Sequence, residues 1–276
     1  MELMKVFYWD DINTWDRDFF NKGTGISVGS FDGIHKGHKV LLNNLINNCK
    51  ENNLISGVIT FTKPLPSIKH SGDYAGDILT IEQKLNVLSS MGIDFTVIVE
   101  FNQDFARMSG QEFFSKLIDV FNLKFLAEGI DFKCGYKGST GHLEIMEFCK
   151  SNNIKYHFEG PVYFTNSEGT QERISSSIIR KCIAMGDIKT AEMLLGRKFV
   201  LDVSKCNIYI ENNNSSSTLF IEKNSVAQVC PSIGEYEGTL PDNTECNIKI
   251  TEDKIVINNG NLSVIDKDSL LNISFI

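Results

Sequence analysis

The sequence predicts an α/β protein, a parallel sheet covered by helices on both faces, followed by a smaller all-β unit. Three observations predict it. Over the first two-thirds of the chain, short β-rich runs alternate with segments of helical periodicity, the pattern of βαβ units. After Arg197 the texture changes to short alternating runs separated by Asn- and Ser-rich turns such as Asn212-Asn213-Asn214-Ser215. The composition, 42% hydrophobic and 22% charged with 21 Gly and 5 Pro in 276 residues, is that of a chain that buries a core rather than a disordered or collagen-like one.

Taken in order, Ile26 to Phe31 reads as a strand, followed by a helix whose apolar face is Leu41, Leu42, Leu45, Ile46 and Cys49. Ile55 to Phe61 reads as a second strand. Thr80-Ile81-Glu82-Gln83 is a capping-box pattern opening a helix to about Met91, and Phe95 to Phe101 reads as a third strand. Ser109-Gly110-Gln111-Glu112 is another capping box, with Phe113, Phe114, Leu117, Ile118 and Phe121 facing inward. Lys124 to Glu128 and Ile154 to Phe158 complete the series, and helical patterns return at Ser175 to Met185 and Ile188 to Leu195. The later runs are Cys206 to Ile210, Thr218 to Glu222, Asn247 to Ile250, Lys254 to Ile257 and Leu271 to Ile276, which puts a boundary near residue 198 and gives domains 1–198 and 199–276. There is no internal repeat.

Charge narrows the function. With 27 basic against 35 acidic residues and a formal charge of −8, the balance argues against a broad nucleic-acid face, because such a face needs clustered Lys and Arg. A small phosphate-bearing ligand held by local cations and backbone N–H groups is not excluded. The 7 cysteines form no Cys-x-x-Cys pair and most lie among apolar neighbours, so they read as reduced packing residues rather than zinc ligands. No apolar run approaches membrane-spanning length, and the N-terminus has no signal-peptide stretch; the expectation is a cytoplasmic protein with no membrane partner.

The strongest chemical signal is Gly29-Ser30-Phe31-Asp32-Gly33-Ile34-His35-Lys36-Gly37-His38, between the first strand and the first helix. Histidines three apart at a helix start project from the same side of its first turn. Free N–H groups and the positive end of the helix dipole favour an anion there. Gly37 between them removes a side chain and lets a nucleotide approach the backbone. Such an arrangement can hold triphosphate oxygens while charge grows at an α-phosphate, chemistry that is mostly positioning and electrostatics. A surface pair or a metal site is the bland alternative. Neither a Walker loop nor Gly-x-Gly-x-x-Gly is present, which removes the main support for a P-loop NTPase or a dinucleotide-dependent dehydrogenase.

The second signal is Arg173-Ile174-Ser175-Ser176-Ser177-Ile178-Ile179-Arg180. Consecutive serines opening a helix supply hydroxyls and free N–H groups, and Arg180, one turn in, adds a bidentate cation for phosphate. Alone it is also an ordinary serine N-cap. Together with the histidine motif it reads as the second jaw of a triphosphate clamp.

These two segments resemble the adenylyltransferase half of bacterial bifunctional riboflavin kinase/FAD synthetases, part of the nucleotidyltransferase superfamily marked by His-x-Gly-His. The resemblance covers about residues 24–198. Leu79-Thr80 with Lys84 and Leu88, Gly92-Ile93-Asp94, Phe101, Phe105-Ala106, Phe113 and Gly186-Asp187 follow in order, as do Ala191 and Leu194-Leu195-Gly196-Arg197. Gly129-Ile130-Asp131-Phe132-Lys133-Cys134-Gly135 resembles the family's Gly-x-Asp/Asn-Phe-x-Phe-Gly, with Cys134 in place of Phe. The fold implied is a Rossmann-like nucleotidyltransferase domain with a parallel sheet, followed by a small, reduced barrel-like β domain.

The resemblance implies roles. His35 and His38 would stabilise the ATP phosphates in the transition state. Gly29, Phe31, Asp32 and Gly37 would shape the nucleotide pocket. Asp131 would stand near the phosphates, unless it is a turn or helix cap. Arg173, Ser176, Ser177 and Arg180 would bind departing pyrophosphate, with Ser177 where the family usually has Thr. The implied partners are ATP, FMN, FAD and pyrophosphate, with Mg²⁺ bridging phosphates and no metal held by protein ligands. The activity is FMN adenylyl transfer; transfer to another phosphorylated metabolite and non-catalytic flavin or nucleotide binding are the alternatives.

Two departures stand out. The family's Phe-x-Pro-His-Pro is replaced by Phe61-Thr62-Lys63-Pro64-Leu65-Pro66, so Phe61 and Pro64 are the remaining flavin-contact candidates. The tail has no Pro-Thr-Ala-Asn segment, and only Pro231-Ser-Ile-Gly-Glu-Tyr236 resembles the kinase barrel. Riboflavin kinase activity is therefore expected to be absent.

Overall fold

A computed structural model describes residues 3–63, 74–213, 216–259 and 272–276. The chain divides into two compact units, one of Met1–Ser71 and Ile81–Arg173, the other of Gly72–Thr80 and Ile174–Ile276. The change of texture after Arg197 thus falls inside the second unit.

In the first unit, β1 (Lys5–Tyr8), β2 (Thr24–Val28), β3 (Ile55–Phe61), β4 (Phe95–Val99), β5 (Leu123–Gly129) and β6 (Lys155–Glu159) form one sheet in the order β1-β4-β3-β2-β5-β6. Every neighbouring pair in it is parallel. Between the strands run α1 (Lys36–Glu51), α2 (Ile81–Met91), α3 (Gln103–Arg107), α4 (Gly110–Phe121) and α5 (His142–Ser151). The short antiparallel hairpin β7 (Tyr163–Thr165) and β8 (Gln171–Arg173) closes the unit.

The central strands β2 and β4 are buried at every position, as a sheet covered on both faces requires. One face packs an aromatic core that includes Trp9, Phe20, Phe95, Phe113, Phe114 and Phe121. On α1 the expected face of Leu41, Leu42, Leu45, Ile46 and Cys49 is buried. The capping box predicted at Ser109 forms, with the Ser109 side chain accepting from the Glu112 N–H and the Glu112 carboxylate accepting from the Ser109 N–H. Gly57 is required by close approach, since a Cβ there would lie 2.1 Å from the Phe95 ring.

The strand order reverses between β2 and β5. From β2 the chain moves through α1 to β3 on one side, whereas β5 and β6 build on the other. The loops leaving β2 and β5 at their carboxyl ends therefore diverge and open a crevice, the usual ligand site in open parallel sheets.

The second unit carries α6 (Ser176–Ala184) and α7 (Ile188–Leu195), then β9 (Val200–Asp202), β10 (Ile208–Asn213), β11 (Ser216–Glu222), β12 (Gly234–Thr239), β13 (Glu245–Ile250), β14 (Lys254–Asn259) and β15 (Asn272–Phe275). These strands form an antiparallel sheet in the order β10-β11-β14-β13-β12-β15-β9, the all-β unit expected from the alternating runs.

Several boundaries differ from the sequence reading. The first strand stops at Val28 rather than Phe31, because Phe31, Gly33 and Ile34 all take positive φ and cannot continue a strand. The third stops at Val99, ahead of the Asn102 side chain that caps α3. Asn212 and Asn213 end β10 rather than forming the turn; Asn214 and Ser215 lie outside the described residues. The edge strand β1, mostly exposed, has no alternating pattern, and its pairing with β4 makes it a strand.

Candidate active site

The histidine loop leaves β2 at the switch point. Its backbone is strained, with Phe31 at φ 45°, Gly33 at 81° and Ile34 at 38°. Non-glycine residues held at positive φ cost energy and persist where surrounding packing over-determines them. Here Phe31, Asp32 and Ile34 are all buried. The loop ends at His35, which is the N-cap of α1: its Nδ1 accepts the His38 N–H at 3.3 Å. A neutral His35 therefore keeps its proton on Nε2, where it can donate to a ligand.

The two imidazoles stack, with ring centroids 3.7 Å apart and planes 17° off parallel, and the Phe31 ring meets His38 edge-on at 5.2 Å. A Cβ at Gly37 would sit 3.2 Å from the His35 ring, tighter than ordinary contact, so a side chain there would press on the stacked pair. The sequence reading had given Gly37 to the ligand; the structure also gives it to the histidine. His35 is buried and His38 half-buried, but His38 Nδ1 is shielded from solvent and has no hydrogen-bond partner among the described residues. Burial holds the His38 pKa well below 6.5, and the charges of His35, Lys84 and Arg173 lower it further. His38 is a neutral imidazole at neutral pH.

Two buried charged groups were missed from sequence. The Lys84 ammonium donates to the carbonyl of Ser30 at 2.9 Å, to the Thr60 hydroxyl at 3.3 Å and to the carbonyl of Phe61 at 3.3 Å. The family likeness had matched Lys84 in sequence without giving it a role; its place one helical turn before Leu88 on the buried face of α2 was the second signal. Glu128, near the end of β5, accepts the Val28 N–H at 2.7 Å. Burial pushes its carboxyl well above the ordinary value, the Val28 bond opposing. Its signal was a charge continuing an apolar strand. Because β2 and β5 diverge at this point, the Val28 N–H has no ladder partner on the β5 side, and the Glu128 side chain supplies the acceptor.

Asp131, from the loop after β5, pairs with Arg173 at the end of β8, Oδ2 to Nη2 at 2.7 Å, both about half exposed. Arg173 also acts on His38 electrostatically, and Phe31 and His35 both pack against the His38 ring. Gly29 directly follows β2, where a Cβ would meet the Phe31 ring at 3.2 Å. Phe61 is buried at the end of β3, its ring edge-on to Phe101 and Phe105 at 5.9 Å each. Pro64 lies outside the described residues.

In the second unit, Ser176 and Ser177 open α6, and Ser175 caps it by accepting the Ile178 N–H at 3.3 Å. Arg180 is held by the 74–80 segment: Nε donates to the Gly76 carbonyl at 2.8 Å, Nη2 to the Tyr74 hydroxyl at 3.3 Å, and the guanidinium lies 4.8 Å from the Tyr74 ring centroid. No helix among the described residues is long and apolar enough to cross a membrane.

Against known proteins, residues 19–178 match the model of the FAD synthetase family. A bifunctional riboflavin kinase/FMN adenylyltransferase from Buchnera aphidicola subsp. Schizaphis graminum is 32% identical over 180 residues, 65% of this chain and 56% of the relative. The protein of the same description from Escherichia coli K12 is 34% identical over 182 residues, with the same coverage. An FAD synthetase from Listeria monocytogenes is 29% identical over 177 residues, 64% of this chain and 70% of its own. The match thus spans little more than half the length of the bifunctional relatives. Among solved structures, one described as a macrolide-efflux protein from Streptococcus pneumoniae covers 99% of this chain and 89% of its own, with a TM-score of 0.76 at 19% identity, a likeness of fold.

Proposed function

The chain belongs to the FAD synthetase family, and from that premise we propose that it is an FMN adenylyltransferase, converting ATP and FMN to FAD and pyrophosphate. A phosphate oxygen of FMN attacks the α-phosphorus of ATP, the bond from that phosphorus to the β-phosphate oxygen breaks, and pyrophosphate leaves with the electron pair. No protein nucleophile is needed. Such transfers depend on placing the reactants and neutralising charge on the oxygens.

The observation that carries the reading is the stacked His35–His38 pair at the start of α1 in the switch-point crevice. In this reading the pair donates hydrogen bonds to the phosphate oxygens, His38 as a neutral imidazole, and so favours the growing charge of the transition state over tight ground-state binding. Gly29, Phe31, Asp32 and Gly37 shape the nucleotide side in this reading. Asp131 orients Arg173, which receives the pyrophosphate; Ser176, Ser177 and Arg180 are pyrophosphate candidates by family likeness. Phe61 and Pro64 are the flavin-side candidates. Mg²⁺ enters on the phosphates of ATP; no group of three His, Cys, Asp or Glu side chains among the described residues is placed to hold an ion. The 7 free cysteines suit a reducing compartment, and we place the reaction in the cytoplasm. We also infer that riboflavin kinase activity is absent, because the tail has no Pro-Thr-Ala-Asn segment.

The test is pyrophosphate release from ATP–Mg²⁺ with FMN, with riboflavin and with a panel of other phosphate monoesters, products identified by mass. FAD formed from FMN alone is expected. Transfer to a different monoester, or no release with any, overturns the assignment, and FMN made from riboflavin overturns the inference about the tail.

A further inference from the structure

Lys84 is a buried charge. Burying an ammonium costs several kcal/mol in lost hydration unless well-placed acceptors offset it. Lys84 is 2% exposed. It sits where the sheet parts: the last β2–β3 bond is the Gly29 N–H to the Ile59 carbonyl at 3.0 Å, and beyond it the two chains separate. The ammonium fills that gap with one donor for each of three acceptors, Ser30 on one side and Thr60 and Phe61 on the other. The Thr60 hydroxyl joins the same knot by donating to the Ser30 carbonyl at 3.2 Å.

We propose that Lys84 is a positioning residue for adenylyl transfer: from beneath the crevice it ties the start of the histidine loop to the end of β3, fixing those two rims relative to each other. It rests on the adenylyltransferase reading. One rim leads through Phe31 to the stacked histidines; the other carries Phe61, on the side assigned to flavin. A transfer that gains its rate from alignment is sensitive to small relative movements of its two reactants. The loop, with two non-glycine residues at positive φ, needs such a hold to keep its strained shape.

The experiment compares Lys84→Met, which keeps the stem and removes all three donors, with wild type. Hydrogen exchange of residues 29–35 should quicken about tenfold in the variant while residues 123–129 change less than about twofold, a local rather than global loss. In the same protein kcat should fall about tenfold or more, with KM for ATP changing less than about threefold. Unchanged exchange in the loop overturns the tie. Quickened exchange with unchanged kcat, or a loss confined to KM, overturns the positioning role. If Lys84→Met does not fold, Thr60→Val keeps the ammonium but removes the hydroxyl it shares with Ser30. A fall in kcat of about twofold to fivefold with quickened loop exchange is then expected, and no change in either overturns the proposal. A wild type that makes no product with any acceptor refutes the activity instead, and the tie is then judged on exchange alone.

Discussion

The ring of His35 lies flat against that of His38, 3.7 Å between centroids, while its Nδ1 accepts the His38 backbone N–H. One residue thus caps the helix and forms half of the stacked pair. The capping bond fixes which nitrogen of His35 points outward, and the stacking fixes the plane of His38. On the adenylyltransferase reading, His38→Ala should lower kcat by about 10²–10³ with a much smaller change in KM for ATP, by analogy with the loss of one transition-state donor. Steady-state kinetics with FMN decides it; a variant that turns over at the wild-type rate removes His38 from the chemistry.

His38 also sets an acid limit on stability. Its folded pKa is depressed below 6.5, chiefly by burial. Between that folded value and about 6.5 the unfolded chain binds more protons, so stability rises with pH there. The contribution is complete above about 6.5 and is lost as pH falls below it. Urea unfolding from pH 5 to pH 7.5 should show this slope in wild type and a smaller one in His38→Gln. Equal slopes would mean that His38 titrates normally in the folded protein.

Glu128 predicts the opposite slope. Its folded pKa is raised, so the folded state holds a proton more tightly, and stability falls as pH rises from about 4.5 toward the folded value. Glu128→Gln keeps an acceptor for the Val28 N–H and cannot ionise, so it should flatten that dependence and equal or exceed wild type at pH 7.5. Glu128→Leu leaves a buried donor unpaired and should be less stable than Glu128→Gln by about 1–3 kcal/mol. Denaturant midpoints at two pH values measure both.

Arg173 is paired with Asp131 at half-exposed positions, where ion pairs contribute about 1 kcal/mol or less. Arg173→Ala should therefore leave stability within about 1 kcal/mol of wild type. If Arg173 receives pyrophosphate, the same variant should weaken product inhibition by pyrophosphate about tenfold or more, the worth of a charge-assisted hydrogen bond. Inhibition that does not change would leave Arg173 only its partner Asp131.

At Gly57 the sheet itself can be tested. A methyl group there would lie 2.1 Å from the Phe95 ring. Gly57→Ala should destabilise by about 1–3 kcal/mol or more, as overpacked cores do. A thermal midpoint within a degree of wild type would show that Phe95 can move aside.

By itself the sequence determined whatever depends on neighbours a few residues apart. The apolar faces of α1 and α4, the Ser109 capping box, the serine opening of α6, and the placing of His35 and His38 on one side of a first turn are of this kind, because helical geometry brings positions three and four apart together. Family likeness extended this reach to the family to which the chain belongs. Only the tertiary structure decided which backbone groups the sheet leaves unpaired. Val28 finds Glu128 across 100 residues and Ser30 finds Lys84 across 54, and those partners are set by strand order. The same holds for β1, a strand only because β4 lies beside it, and for the abrupt end of β2, where positive φ angles replace a ladder that local propensity would have continued. Backbone hydrogen bonds must be satisfied wherever water is excluded, and local pattern alone does not say which distant side chain will satisfy them.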